Sequence, residues 1–301
     1  MDLQKEPCQY LEVQFSVPWG QVSGKLWGKP TGQPVLLLHG LLDNCGAFDR
    51  FISLLIGDYY ILAIDLPGHG LSSYFPAGQP IDLLHFVIAA KFVIDEIKWH
   101  RFSIIGHSLG GLIGIHFSSC FPAFVEKLII IDAISHRPFI DEKHVLFSIR
   151  LWIEEFMTLD ERLQKHHQPV YSYQEAFHKL TNRDSYVTAE AAKILTERSL
   201  KKTENGYVFR MDQRLKMNLF PALCTSVMTD ALEHIRCRVL FIYSTERHEV
   251  YKDLFKEIYS IISTKPNFIV QVVHGNHEVH QNSPERIVKL IDEFFMKNSK
   301  L

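Results

Sequence analysis

Arg101-Phe-Ser-Ile-Ile-Gly-His-Ser-Leu-Gly-Gly111 runs from a strand through a sharp turn into a helix. The apolar run Phe102 to Ile105 is long enough for a buried strand and too short for a helix. It leads into Gly106-His107-Ser108-Leu109-Gly110, a G-x-S-x-G pattern. The apolar, small-residue segment Gly111 to Phe121 predicts a helix ended by Pro122. Gly106 and Gly110 lack side chains, so strand, turn and helix can approach closely. Ser108 is then lifted clear of the sheet, and the backbone N–H of Leu109 points where an oxyanion would form. Between a strand and a helix, the pattern marks Ser108 as a candidate nucleophile.

Outward from this turn the chain alternates strands and helices. Leu11 to Val17 and Val22 to Trp27 read as strands joined at Pro18-Trp19-Gly20. Val35-Leu-Leu-Leu38, Tyr59 to Ile64, Lys127-Leu-Ile-Ile-Ile131 and Arg238-Val-Leu-Phe-Ile-Tyr243 are apolar runs of the kind buried on both faces. Phe268 to Val273 is a further strand. Helices are expected at Ala47 to Ile56, Ile81 to Ile97, Tyr251 to Ile262 and Pro284 to Met296. This rhythm implies a mostly parallel sheet covered on both faces. It stops after Pro138. From there to Glu233 the pattern offers helices at Leu146 to Met157, Tyr171 to Leu180 and Thr188 to Leu200, and no clear buried strand. The expected organisation is a core in two parts, 1–135 and 234–301, interrupted by a helical lid at 136–233.

The 301 residues, 47% hydrophobic and 22% charged, fit a globular α/β protein with a sizeable core. A net charge of −2 gives no electrostatic case for nucleic acid or an anionic membrane. No apolar stretch approaches a membrane span, and Met1 to Pro7 lacks the apolar core of a signal peptide. Cys8, Cys45, Cys120, Cys224 and Cys237 are scattered and odd in number, as for free thiols. The final Ser299-Lys300-Leu301 reads as a peroxisomal address. The expected compartment is therefore the peroxisome, with the cytoplasm as a second one and the import receptor as a partner.

Leu38-His-Gly-Leu-Leu-Asp-Asn44, Asp65-Leu-Pro-Gly-His-Gly-Leu-Ser72, Gly106-His-Ser-Leu-Gly-Gly111 and Gly275-Asn-His277 with Pro284-Glu285 resemble the α/β-hydrolases. His39 to Asn44 and Ser135 onward resemble the serine hydrolase-like (kraken-type) branch. The resemblance implies the α/β-hydrolase fold, a mostly parallel eight-stranded sheet with helices on both faces and a helical cap insertion. It also implies the chain order nucleophile, acid, histidine. Three histidines crowd the late loop: His274, His277 and His280. The spacing of His277 from Pro284 matches the family's catalytic loop, so His277 is the expected base. His274 and His280 are expected to be surface or loop-packing histidines, and the i, i+3, i+6 spacing of the three is a weak metal pattern.

The acid has several candidates. In most relatives it follows the strand here ending at Tyr243, but the chain reads Ser244-Thr-Glu-Arg-His-Glu-Val250, without an aspartate. Asp132, at the end of the preceding strand, is preferred, since some relatives such as certain haloalkane dehalogenases place their acid there. Glu246 and Glu249 are the alternatives. Leu109 and Leu41 are the expected oxyanion donors. His39 and the Asp65-to-Gly70 motif are assigned to bracing.

Dehalogenases and epoxide hydrolases of this fold use an aspartate nucleophile, so a serine implies acyl transfer to water. The expectation is a hydrolase cleaving a small-molecule carboxylic ester or thioester, with no cofactor and no metal. The acid missing after Tyr243 also keeps open a binding protein without turnover. A C–C hydrolase or lyase with the same triad is a third reading. Trp152, Phe156, Met157, Tyr171, Tyr173, Phe177 and Tyr186 in the insertion are expected to form the lid's own core more than an acyl pocket.

Overall fold

The computed structural model describes residues 9–133, 144–165, 168–183, 186–217, 225–246 and 252–297. In chain order its strands are β1 (Tyr10–Val17), β2 (Gly20–Trp27), β3 (Gln33–Leu38), β4 (Tyr59–Ile64), β5 (Phe102–His107), β6 (Val125–Ile131), β7 (Leu200–Thr203), β8 (Gly206–Phe209), β9 (Arg238–Ser244) and β10 (Phe268–Val273). The helices are α1 (Asp49–Ile52), α2 (Leu83–Ile97), α3 (Leu109–Cys120), α4 (Val145–Lys165), α5 (Tyr173–Thr181), α6 (Ala189–Ser199), α7 (Thr225–His234), α8 (Lys252–Ile262), α9 (Val279–Asn282) and α10 (Glu285–Met296).

Eight strands form one sheet in the order β1-β2-β4-β3-β5-β6-β9-β10. β2 runs antiparallel to both its neighbours, and the remaining pairings are parallel. The continuous apolar runs became inner strands because both their faces are covered. Alternate side chains serve opposite cores. Leu36 and Leu38 pack with Ile113 and Phe117 of α3 and with Phe86 of α2. Val35 and Leu37 pack with Phe48, Phe51 and, from α10, Ile291 and Phe294. Each such buried side chain contributes about 1.5–3 kcal/mol.

The crossing at Ser108 explains its glycines. A Cβ on Gly110 would lie 1.9 Å from the Leu38 carbonyl oxygen, and one on Gly106 2.3 Å from that of Gly110. Helix α3 can therefore rest on β3 and β5 only without those side chains.

Two expectations need correction. The helix expected at Ala47 to Ile56 is a short 3-10 turn, Cys45–Phe48, capped by Asn44, followed by the single turn α1. The stretch is too short and too tightly tied to propagate a long helix: Asn44 Oδ1 accepts from Gly46 N–H at 2.9 Å, and Asp65 Oδ1 accepts from Cys45 N–H at 2.8 Å. The insertion also contains strands. β7 and β8 pair antiparallel, Leu200 opposite Phe209, around the turn at Glu204-Asn205. Four residues long and half exposed, they lack the buried run by which the sequence reveals longer strands.

The insertion sits over the carboxyl ends of β3 and β4. Asn44 Nδ2, just beyond β3, donates to the Leu195 carbonyl at 3.1 Å and to Ser199 Oγ at 2.9 Å. Arg198 of α6 reaches Asp65, just beyond β4. Helix α7, within the stretch the sequence assigned to the insertion, packs on the sheet side. Met228, Ala231 and Leu232 join the same core as α3, and Ser119 Oγ–H donates to the Ala231 carbonyl at 2.6 Å. The residues expected to form the lid's core need correction as well: the buried cluster there is Leu180, Val187, Ala191, Ala192 and Leu195, with only Phe177 of the expected set packed against it. Met157, Tyr173 and Tyr186 are exposed, and α4, which carries Trp152 and Phe156, buries no side chain. The rings instead pack on one another toward the surface, as in the pairs Tyr173–Tyr207 and Tyr171–Phe209, with ring centroids 5.6 and 5.7 Å apart. No described helix is long and apolar enough to cross a membrane. Cys45, Cys120 and Cys237 are free thiols, while Cys8, Cys224 and Ser299-Lys300-Leu301 lie outside the described residues.

Candidate active site

Ser108 is the hinge between β5 and α3. Its φ of 50° and ψ of −116° fall outside the regions that L-residues favour, a conformation worth about 1–3 kcal/mol of strain. The surroundings hold it there. Its N–H donates to the Ile131 carbonyl at 3.0 Å, and its own carbonyl accepts from Gly111 and Leu112. The Leu109 N–H that follows lies in the first turn of α3, where no intrahelical acceptor exists.

Asp132 begins where β6 ends, with φ at 51°. Its N–H donates to the Ile242 carbonyl at 2.8 Å. Its carboxylate is buried and amply served. Oδ1 accepts from the Ser244 N–H at 3.0 Å. Oδ2 accepts from Ser244 Oγ–H at 2.9 Å and from His277 Nδ1–H at 2.8 Å. A carboxylate only accepts, so the proton of neutral His277 stays on Nδ1 and the lone pair on Nε2. Ser244, at the end of β9, holds Asp132 through both its N–H and its hydroxyl. Glu246 is exposed, with its N–H on the Gly275 carbonyl at 3.2 Å, and Glu249 lies outside the described residues.

His277 follows Gly275, whose φ of 149° turns the chain sharply after β10. Its ring lies 4.6 Å from that of His107, the residue before Ser108, and its carbonyl accepts from His107 Nε2–H at 2.8 Å. The loop that carries His277 is thus tied to the strand that leads into Ser108. The sequence reading gave His107 no role, although it stands inside the serine motif.

The loop after β3 passes directly beneath. A Cβ on Gly40 would meet Ser108 Cβ at 3.3 Å and His107 Nδ1 at 2.8 Å, so the backbone leading to Leu41 lies against the Ser108 turn. Two buried histidines shape that loop. His39 Nε2 accepts from Leu66 N–H at 2.9 Å, and His69 Nε2 accepts from Leu42 N–H at 3.1 Å. Burial pushes their imidazoles down to about 4 and about 3, so both stay neutral and can accept. Of the other late histidines, His274 is exposed, while His280 is fully buried with its ring 3.9 Å from that of His107. The donors Asp43, His107, Glu278 and His280 come within 4.8 Å of one another.

Together these residues place a serine on a strained turn, an imidazole packed on the ring of the neighbouring His107, and a carboxylate on Nδ1 of that imidazole. Such an arrangement suits nucleophilic attack assisted by a general base. The sequence profile of the alpha/beta hydrolase family matches residues 35–290. Human serine hydrolase-like protein 2 is 34% identical over 294 residues, 94% of this chain and 93% of its own. A probable serine hydrolase of Drosophila melanogaster is 33% identical, covering 96% of this chain and 91% of its own. Among solved structures, a hypothetical protein of Pseudomonas aeruginosa superposes with a TM-score of 0.84 at 25% identity, covering 95% of this chain and 99% of that one.

Proposed function

This chain is a hydrolase belonging to the alpha/beta hydrolase family, and from that premise we propose that it cleaves a carboxylic ester or thioester through an acyl-enzyme on Ser108. His277 is the general base and Asp132 the acid. The observation that carries this reading is the 2.8 Å contact between His277 Nδ1 and Asp132 Oδ2 on a ring packed against His107.

Ser108 Oγ attacks the acyl carbon as its proton passes to His277 Nε2. The carbonyl oxygen becomes an oxyanion received by the N–H groups of Leu109 and Leu41. Asp132 stabilises the imidazolium. The imidazolium then gives its proton to the departing alcohol or thiol, leaving the acyl group on Ser108. Water, deprotonated by His277, attacks the acyl-enzyme and releases the carboxylic acid. The names of the human and fly relatives, a serine hydrolase-like protein and a probable serine hydrolase, support a serine nucleophile. The reading without turnover drew on an acid missing after Tyr243, and a carboxylate on His277 weighs against it.

A fluorophosphonate probe tests the nucleophile. The expected result is one label on the peptide containing Ser108 and none in Ser108→Ala, read by mass spectrometry. Native protein that stays unlabelled would sink the proposal. Hydrolysis of p-nitrophenyl esters and acyl thioesters of graded length tests the bond class. A labelled enzyme that turns over neither would leave the nucleophile and remove the ester reading.

A further inference from the structure

One group of buried charged side chains has no part in that chemistry. Arg183, in the insertion just after α5, donates from Nη1 to Asp43 Oδ1 at 3.0 Å. Its Nη2 lies 3.1 Å from Glu278 Oε1. Gln281 Nε2–H reaches the same two carboxylates, at 3.3 Å to Asp43 Oδ2 and 2.6 Å to Glu278 Oε2. The side chains of Asp43 and Glu278 are 1% and 6% exposed, so their mutual repulsion is poorly screened. Burial pushes the Asp43 carboxyl up, with Arg183 pulling against it.

The two carboxylates, with His107 and His280, form a donor group of a shape that holds cations. Here the chain supplies the cation itself, as the Arg183 guanidinium. A planar guanidinium can grip two carboxylates at once, which an ammonium does poorly.

The carboxylates stand at telling places. The Asp43 N–H closes a turn onto the Gly40 carbonyl at 3.2 Å, so Asp43 fixes the loop that contains Leu41. Glu278 directly follows His277. We infer that Arg183 is a positioning residue: by bridging Asp43 and Glu278 it holds the oxyanion loop and the base loop in register at Ser108, so that turnover depends on the docked insertion. This inference rests on the serine-hydrolase reading above.

The test measures kcat and KM of the full chain on p-nitrophenyl acetate, a substrate too small to need the lid. Arg183→Ala is expected to lower kcat by about 10- to 100-fold with KM within about threefold, as small misplacements of a reacting group do. Arg183→Lys falls between, and guanidinium ion added to Arg183→Ala restores part of the loss. Arg150→Ala, which removes an exposed arginine of α4 paired with Glu154, behaves as the parent. Should Arg183→Ala fail to fold, Glu278→Gln carries the test, with a fall in kcat of about tenfold at near-constant KM. A kcat within about threefold of the parent, a loss carried by KM alone, or no recovery with either lysine or guanidinium ion overturns the inference. A parent chain that neither hydrolyses the ester nor takes label at Ser108 overturns the serine-hydrolase reading and this inference with it. An active parent with an unaffected Arg183→Ala overturns this one alone.

Discussion

Asp132→Asn lowers kcat for ester hydrolysis by about 10⁴-fold, while Glu246→Gln and Glu249→Gln stay within about twofold of the parent. The reason lies in which hydrogen bonds can reverse. The Ser244 N–H on Oδ1 is a fixed donor, so the amide oxygen of an asparagine must take that place. Its NH₂ then faces His277 Nδ1, which must become the acceptor. Ser244 Oγ adapts, because a hydroxyl can accept as well as donate. The imidazole is left with its proton on Nε2, where it cannot take one from Ser108. Shape is conserved, so the fold survives and the loss falls on kcat. Steady-state kinetics with a melting curve as control check this. A full loss in Glu246→Gln, with Asp132→Asn active, would move the acid to the end of β9.

Arg198→Met destabilises the chain by about 3–5 kcal/mol, the usual cost of leaving one half of a buried ion pair behind. Asp65 is fully buried, and its carboxylate accepts from Cys45 N–H and Leu71 N–H at 2.8 Å each. Arg198 Nε donates to it at 3.0 Å and Nη2 lies 2.9 Å away as an ion-pair contact, while Arg198 Nη1 reaches Glu12 of β1 at 2.5 Å. Burial pushes the Asp65 carboxyl up, but Arg198 and the backbone donors outweigh it and hold the carboxyl below its ordinary value. A carboxyl lowered in the folded state adds stability that is complete above the unfolded value, about 3.9, and is lost as pH falls through the folded one. The difference in melting temperature is therefore widest near neutrality and narrows in acid. Adding Asp65→Leu to Arg198→Met should recover part of the loss, since no lone buried charge remains. A single variant as stable as the parent at pH 7 would mean that the pair is not what pins the insertion to the core.

The parts of this molecule legible in its sequence were those whose cause is local. The serine turn needs particular residues within a few positions of one another, and Gly106, Ser108 and Gly110 announce it. The inner strands declare themselves as apolar runs because two covered faces leave no room for polar side chains. What depends on distant contacts stayed open. Asp132 and Glu246 lie at the ends of adjacent strands, and nothing local says which points at His277. The clue was Ser244, a small donor at the end of β9, and its meaning appears only beside Asp132. The pairing of Asp43 with Arg183 spans 140 positions and has no local mark. The β7–β8 hairpin carries little local mark: its two-residue loop is Glu204-Asn205, and Gly206, with φ at 138°, opens β8.

The proposed nucleophile and acid stand just past the ends of neighbouring strands, β5 and β6, inside the sheet. The histidine arrives from beyond β10, the outermost strand, which is bonded on one side alone and leaves Val272 half exposed. Edge strands open at less free energy than inner ones. Warming or mild denaturant should therefore silence the enzyme through a brief, reversible parting of β10 from β9, while serine and aspartate remain in place. The upper temperature of catalysis would then be set by that one seam, below the point at which the protein as a whole melts.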